Sequence, residues 1–164
     1  MERASDGGMF PGPRSADKFP VASQNEEPFR NEFLMIYKRV VVADDLAPVL
    51  SAVTALLKDS FNVVSLASDG HTALEAVMAF DPDLAVLDIS MPGLTGIEVA
   101  RELKKRDNRA KIVFLTVHQD SEIIGTCLST GALGYVVKEL MNSDLIPAMN
   151  EALAGRVFVS RLSS

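Results

Sequence analysis

The sequence predicts an α/β fold, a doubly wound five-stranded parallel sheet, and three observations predict it. Five short runs rich in Val, Ile and Leu alternate with five amphipathic stretches, and the connections between them are short. The runs are apolar throughout rather than at every second residue, which requires helices on both faces of the sheet. The first, third, fourth and fifth runs each end in polar residues, and in an open α/β sheet the chemistry collects at the carboxyl ends of the strands.

Each element can be justified in turn. KRVVVADD is a β-branched apolar run closed by two acids and reads as a buried first strand. In LAPVLSAVTALLK (residues 46–58), Val49, Leu50, Val53, Leu56 and Leu57 share one helical face. Pro48 stands in the first turn of that helix, where a missing N–H is harmless. FNVVSLA is the second strand. Ser68 or Asp69 can cap the next helix, whose inward face is Ala73, Leu74, Val77 and Met78. Asp81-Pro82 breaks it, DLAVLDIS supplies the third strand, and MPGLTG is a loop. Residues 94–106 are amphipathic, with Leu94, Ile97, Val99 and Leu103 directed inward. KIVFLTV is the fourth strand, residues 120–130 form a helix closed by Gly131, and LGYVVK is the fifth strand. Asn142 or Ser143 caps a final helix that Gly155 ends, and RVFVSRLSS reads as a brief tail.

Composition bounds the function. A chain of 164 residues suits one domain of ordinary size and a tail. The first thirty residues hold four of the eight prolines and three of the ten glycines without any sustained period. Such a segment cannot bury enough apolar surface to offset its ordering entropy, so residues 1–34 are expected to be a disordered tail or an extended start. Met35 opens the domain, expected over residues 35–160, and residues 161–164 are read as the start of a linker or the C-terminal end. The net charge of −6 offers no broad electrostatic footprint, so direct nucleic-acid binding by this chain is not expected. Neither a signal peptide nor a run long enough to span a bilayer is read, and a membrane partner is not expected. Cys127 is the single cysteine, which excludes an intrachain disulfide and points to a reducing, cytoplasmic setting.

The strand ends carry the chemistry. Asp44-Asp45 closes the first strand, Asp88 the third, Thr116 the fourth and Lys138 the fifth. Three carboxylates in one crevice repel one another unless a cation joins them. Oxygen ligands of this kind suit a hard ion such as Mg²⁺. A carboxylate beside such an ion can act as a nucleophile toward phosphorus, and a nearby ammonium and hydroxyl can take the phosphoryl oxygens. Alone, the acid pair is equally a helix cap, Asp88 the start of a turn, and Thr116 and Lys138 solvated strand ends. Their joint placement, one feature per strand end, favours a site.

The segments VVVADD, LAVLDISMPGLTGIEVA, IVFLTV and GALGYVVKE together resemble the receiver domain of two-component response regulators, over roughly residues 39–160. GALGYVVKE followed by LIPAMNEALAGRVFVS is similar to the receivers of NarL/FixJ-type regulators, which usually carry a C-terminal helix-turn-helix domain. The resemblance implies a flavodoxin-like strand order 2-1-3-4-5 and a stand-alone receiver or the excised receiver of a transcription regulator. It implies Asp88 as phosphoryl acceptor from a sensor histidine kinase, and Mg²⁺ held by Asp44, Asp45, Asp88 and the Ser90 backbone carbonyl. Thr116 and Lys138 would bind the phosphoryl group, Pro92 and Gly93 would shape the rim, and Thr116 with Tyr135 would form the switch. In that switch Tyr135 turns inward when Thr116 moves, reshaping the last two helices and the strand between them, a surface that also allows a homodimer. The expected role is a signalling module that phosphorylates itself and slowly loses the group, not a separate enzyme.

Competing readings are weaker. A phosphohydrolase working through an aspartyl-phosphate commonly has a second acid two residues after the nucleophile, and here that residue is Ser90. A degenerate receiver that signals by binding alone would lack part of the set. A nucleotide-binding protein is disfavoured because neither a G-x-G-x-x-G nor a P-loop follows the first strand. His118, two residues beyond Thr116, stands at the site mouth as a solvated loop residue or as an influence on the phosphoryl lifetime. Cys127 reads as a core hydrophobe.

Overall fold

The computed structural model describes residues 37–161. The expected tail over residues 1–34, the start at Met35 and residues 162–164 lie outside the described residues. The elements alternate as predicted: β1 Arg39–Ala43, α1 Ala47–Leu57, β2 Asn62–Ala67, α2 Gly70–Phe80, β3 Leu84–Leu87, α3 Gly96–Lys105, β4 Lys111–Thr116, α4 Ser121–Ser129, β5 Gly134–Val137, a 3₁₀ turn Lys138–Leu140, α5 Met141–Leu153 and β6 Phe158–Val159.

All strands pair in parallel, in the order β2-β1-β3-β4-β5-β6. The first five follow the predicted 2-1-3-4-5 order. The sixth is a correction: RVFVS does not simply trail away, because Phe158 N donates to Leu133 O and Ser160 N to Tyr135 O, both at 2.8 Å. Alternating valines and a helix that ends beside the open edge of β5 make that pairing available.

Because side chains alternate along a strand, the apolar runs feed two separate cores. Val41, Ala43, Ala85, Leu87, Phe114 and Tyr135 face α2, α3 and α4. Val40, Val42, Leu84, Val86, Val113 and Val136 face α1 and α5. Both faces of the central strands are thus dry, which is why these runs show no polar alternation.

Local signals set most helix starts. Asp69 accepts from Thr72 N, and Asp120 from Ile123 N. Thr95 and Glu98 form a reciprocal capping box on α3. Two expectations fail. Met78 is exposed, and Ala76 takes the inward place instead, because the helix presents Ala73, Ala76 and Val77 to the sheet. Neither Asn142 nor Ser143 caps α5: the 3₁₀ turn at Lys138–Leu140 leads directly into a helix starting at Met141.

Candidate functional site

Two glycines bring the backbone close enough to form the rim. Gly96 N donates to Ile89 O at 2.9 Å, and a Cβ on Gly96 would meet the Asp88 carbonyl oxygen, so α3 starts directly against β3. Gly93 has φ +80, a left-handed turn that few side chains tolerate. The loop after β3 is thereby folded back beneath α2, where Gly70 N donates to Pro92 O at 3.1 Å.

The predicted carboxylates converge. Asp44, Asp45 and Asp88 each offer an oxygen within 4.8 Å of the others. Asp44 and Asp88 are buried, whereas Asp45 is exposed at the mouth. The question of cap or site at the acid pair resolves atom by atom. Asp44 Oδ1 accepts from Leu46 N at 2.9 Å, a turn contact leading into α1. Asp44 Oδ2 faces the crevice instead. It lies 2.7 Å from Lys138 Nζ as an ion pair, yet it is buried without a well-directed hydrogen bond.

Asp88 is held similarly. Its Oδ1 accepts from Ile89 N at 2.8 Å, and its Oδ2 lies 3.3 Å from Lys138 Nζ. Burial raises the pKa of the Asp88 carboxyl above the usual carboxylate range, and the Asp44 charge raises it further, against the opposing pull of Lys138. Burial works against the Lys138 ammonium, but its close contact with Asp44 and the charge of Asp88 outweigh it and lift its pKa above the usual lysine value. Three carboxylates therefore face one ammonium. An under-neutralised cluster of three carboxylates around one ammonium fits a hard divalent cation held by Asp44, Asp45 and Asp88.

Thr116 is fully buried at the end of β4, and its Oγ1 accepts from His118 N at 3.3 Å. Ser90 is exposed, with its Oγ 3.2 Å from His118 Nε2. Tyr135 is also fully buried, and its hydroxyl donates to His118 O at 2.8 Å. Tyr135 is therefore already inward, with burial pushing its phenol up. The His118 backbone engages both hydroxyls, its N–H donating to Thr116 Oγ1 and its carbonyl accepting from Tyr135. Sequence reading placed His118 near the mouth but had no means of finding this double attachment.

Known proteins resembling this chain identify its family. A model of the response regulator receiver domain matches residues 40–150, and the chain belongs to that family. It is a receiver of the NarL-like type in two-component signalling. It is 32% identical over 123 residues to the nitrate/nitrite response regulator protein NarL of Escherichia coli, an alignment covering 74% of this chain and 57% of that protein. The transcriptional regulatory protein DegU of Brevibacillus brevis is also 32% identical, over 74% of this chain and 52% of that protein. The chain thus spans little more than half the length of these curated relatives. Among solved structures, the signal receiver domain of a NarL from Mycobacterium tuberculosis superposes with a TM-score of 0.70 at 33% identity, covering 73% of this chain and 98% of that one. The isolated receiver of RcsB from Salmonella enterica, solved with the phosphomimetic BeF₃⁻, gives a TM-score of 0.70 at 25% identity over 76% of this chain and 94% of that one.

Proposed function

We propose that Asp88 is the phosphoryl acceptor of this receiver. The observation that carries the reading is the convergence of Asp44, Asp45 and Lys138 on a buried carboxylate at the carboxyl end of β3. The donor is the phosphohistidine of a sensor kinase. An Asp88 carboxylate oxygen attacks phosphorus, the bond from phosphorus to the imidazole nitrogen breaks, and the electron pair stays on the imidazole. Asp44, Asp45, Asp88 and the Ser90 carbonyl would hold Mg²⁺, which when bound supplies positive charge to the phosphoryl oxygens.

This chain's own groups then divide the work. Lys138 already stands against Asp88 Oδ2 and is placed to pair with the incoming charge. The Thr116 hydroxyl takes a phosphoryl oxygen by giving up its contact with His118 N. Because Tyr135 holds the carbonyl of the same residue, the movement reaches α4, β5 and α5, the surface proposed for homodimerisation. The receiver occupies residues 35–160 and works in the cytoplasm. No helix among the described residues is long and apolar enough to cross a membrane.

The test is incubation with acetyl phosphate and Mg²⁺ followed by intact mass. The expected result is a gain of one phosphoryl group that disappears in Asp88→Ala. No gain, or a gain that survives the substitution, overturns the reading.

A further inference from the structure

Among the described residues, five polar side chains are buried: Asp44, Asp88, Thr116, Thr130 and Ser160. Three belong to the site, and Thr130 is satisfied within its own turn by Cys127 O at 2.6 Å. Ser160 is different. It follows β6, is only 2% exposed, and bonds to β5 and to the first turn of α5, on either side of Lys138. Its backbone N donates to Tyr135 O at 2.8 Å. Its Oγ accepts from Val137 N at 3.2 Å and donates to Asp144 Oδ2 at 2.7 Å. Asp144 is in turn fixed by Ser143 Oγ, which donates to its Oδ1 at 2.9 Å.

Chain geometry gives these bonds a consequence. Val137 is the last residue of β5, beyond the reach of two-residue β6, so its N–H would otherwise be a buried orphan. The next residue is Lys138, whose ammonium spans Asp44 and Asp88. Ser160 Oγ holds the Val136–Val137 peptide, one residue before Lys138, so a shift of that peptide changes the direction in which the chain enters Lys138 and re-aims its long side chain.

We propose that Ser160, oriented by Asp144, is a positioning residue for Lys138, so that the segment Phe158–Ser160 belongs to the phosphorylation machinery. This rests on the reading of Lys138 as partner of the phosphoryl group.

The test measures the rate of Asp88 phosphorylation by acetyl phosphate against donor concentration in the full chain, far below the unfolding midpoint. Losing one buried hydrogen bond, Ser160→Ala should lower the maximal rate roughly 2- to 12-fold. Ser160→Thr, which restores a hydroxyl, should recover it. Thr130→Ala also deletes a buried hydroxyl, remote from Lys138, and should keep the wild-type rate. Asp144→Ala, on a half-exposed helix position, provides the second variant should Ser160→Ala not fold, and should also slow the reaction. Equal rates in Ser160→Ala and wild type, or equal slowing in Thr130→Ala, overturn the proposal while leaving Asp88 as acceptor intact. An unphosphorylated wild type fails the underlying reading instead.

Discussion

The two ends of the parallel sheet carry similar numbers of charges and do opposite things with them. At the amino ends of the strands, Lys38, Asp81, Asp83, Arg109 and Lys111 line an open cleft of about 620 Å³. Its ion pair, Asp81 with Arg109, spans 3.7 Å with side chains 66% and 86% exposed. At the carboxyl ends, Lys138 reaches Asp44 at 2.7 Å, with side chains 14% and 2% exposed. The open cleft is the chemically quieter end. Water screens the Asp81–Arg109 pair in the cleft, whereas the buried rim makes each charge depend on its neighbours. Function here tracks desolvation and the convergence of charges.

Substitutions at either end can break that contrast. Asp88→Asn should abolish the phosphoryl mass gain altogether. It should also raise the unfolding midpoint in the absence of divalent ions, because a neutral isostere removes a carboxylate that burial and Asp44 both disfavour. Adding Mg²⁺ should raise the midpoint of the wild type by mass action and raise that of the variant less. A lower midpoint for Asp88→Asn would mean that the rim is not electrostatically strained.

Lys138→Ala should come next, destabilising by roughly 3 kcal/mol because it leaves buried carboxylates uncompensated. Arg109→Ala at the other end should change stability by about 0.5 kcal/mol or less. Denaturant unfolding of the pair measures the difference between the ends directly, and comparable losses would erase it. Gly96→Ala should cost roughly 1–3 kcal/mol, since the added methyl meets the Asp88 carbonyl and α3 must back away from the site.

The smallest effect concerns pH. Burial pushes the Cys127 thiol up to about 11. Above the usual thiol pKa of roughly 8.5 the unfolded chain releases a proton that the native state keeps. Native protein therefore binds more protons, and stability falls as pH rises from the usual thiol range toward 11. Cys127→Ala should flatten this slope in thermal melts taken across that window, while leaving phosphorylation unchanged.

Much of the fold and the rim was legible from residue order alone. Runs such as RVVVA and LAVL announce strands dry on both faces, Asp69, Thr95 and Asp120 announce helix starts, and acids at the ends of two strands announce the rim. Periodicity and capping are local properties, written within one or two turns of chain. The strand order and the roles of single residues came from resemblance, not from periodicity.

Other features depended on residues far apart in sequence. Lys138 meets Asp88 across 50 residues, Tyr135 meets His118 across 17, and Ser160 meets Val137 across 23. Which Asp44 oxygen turns to Leu46 and which to Lys138, whether Tyr135 lies inward, and whether RVFVS adds a strand are settled by sheet register and by the open edge of β5. Residue order by itself determined that acids, a hydroxyl and an ammonium would reach one rim. The tertiary structure decided which atoms touch, because a hydrogen bond is won or lost within about half an ångström and no sequence period carries that resolution.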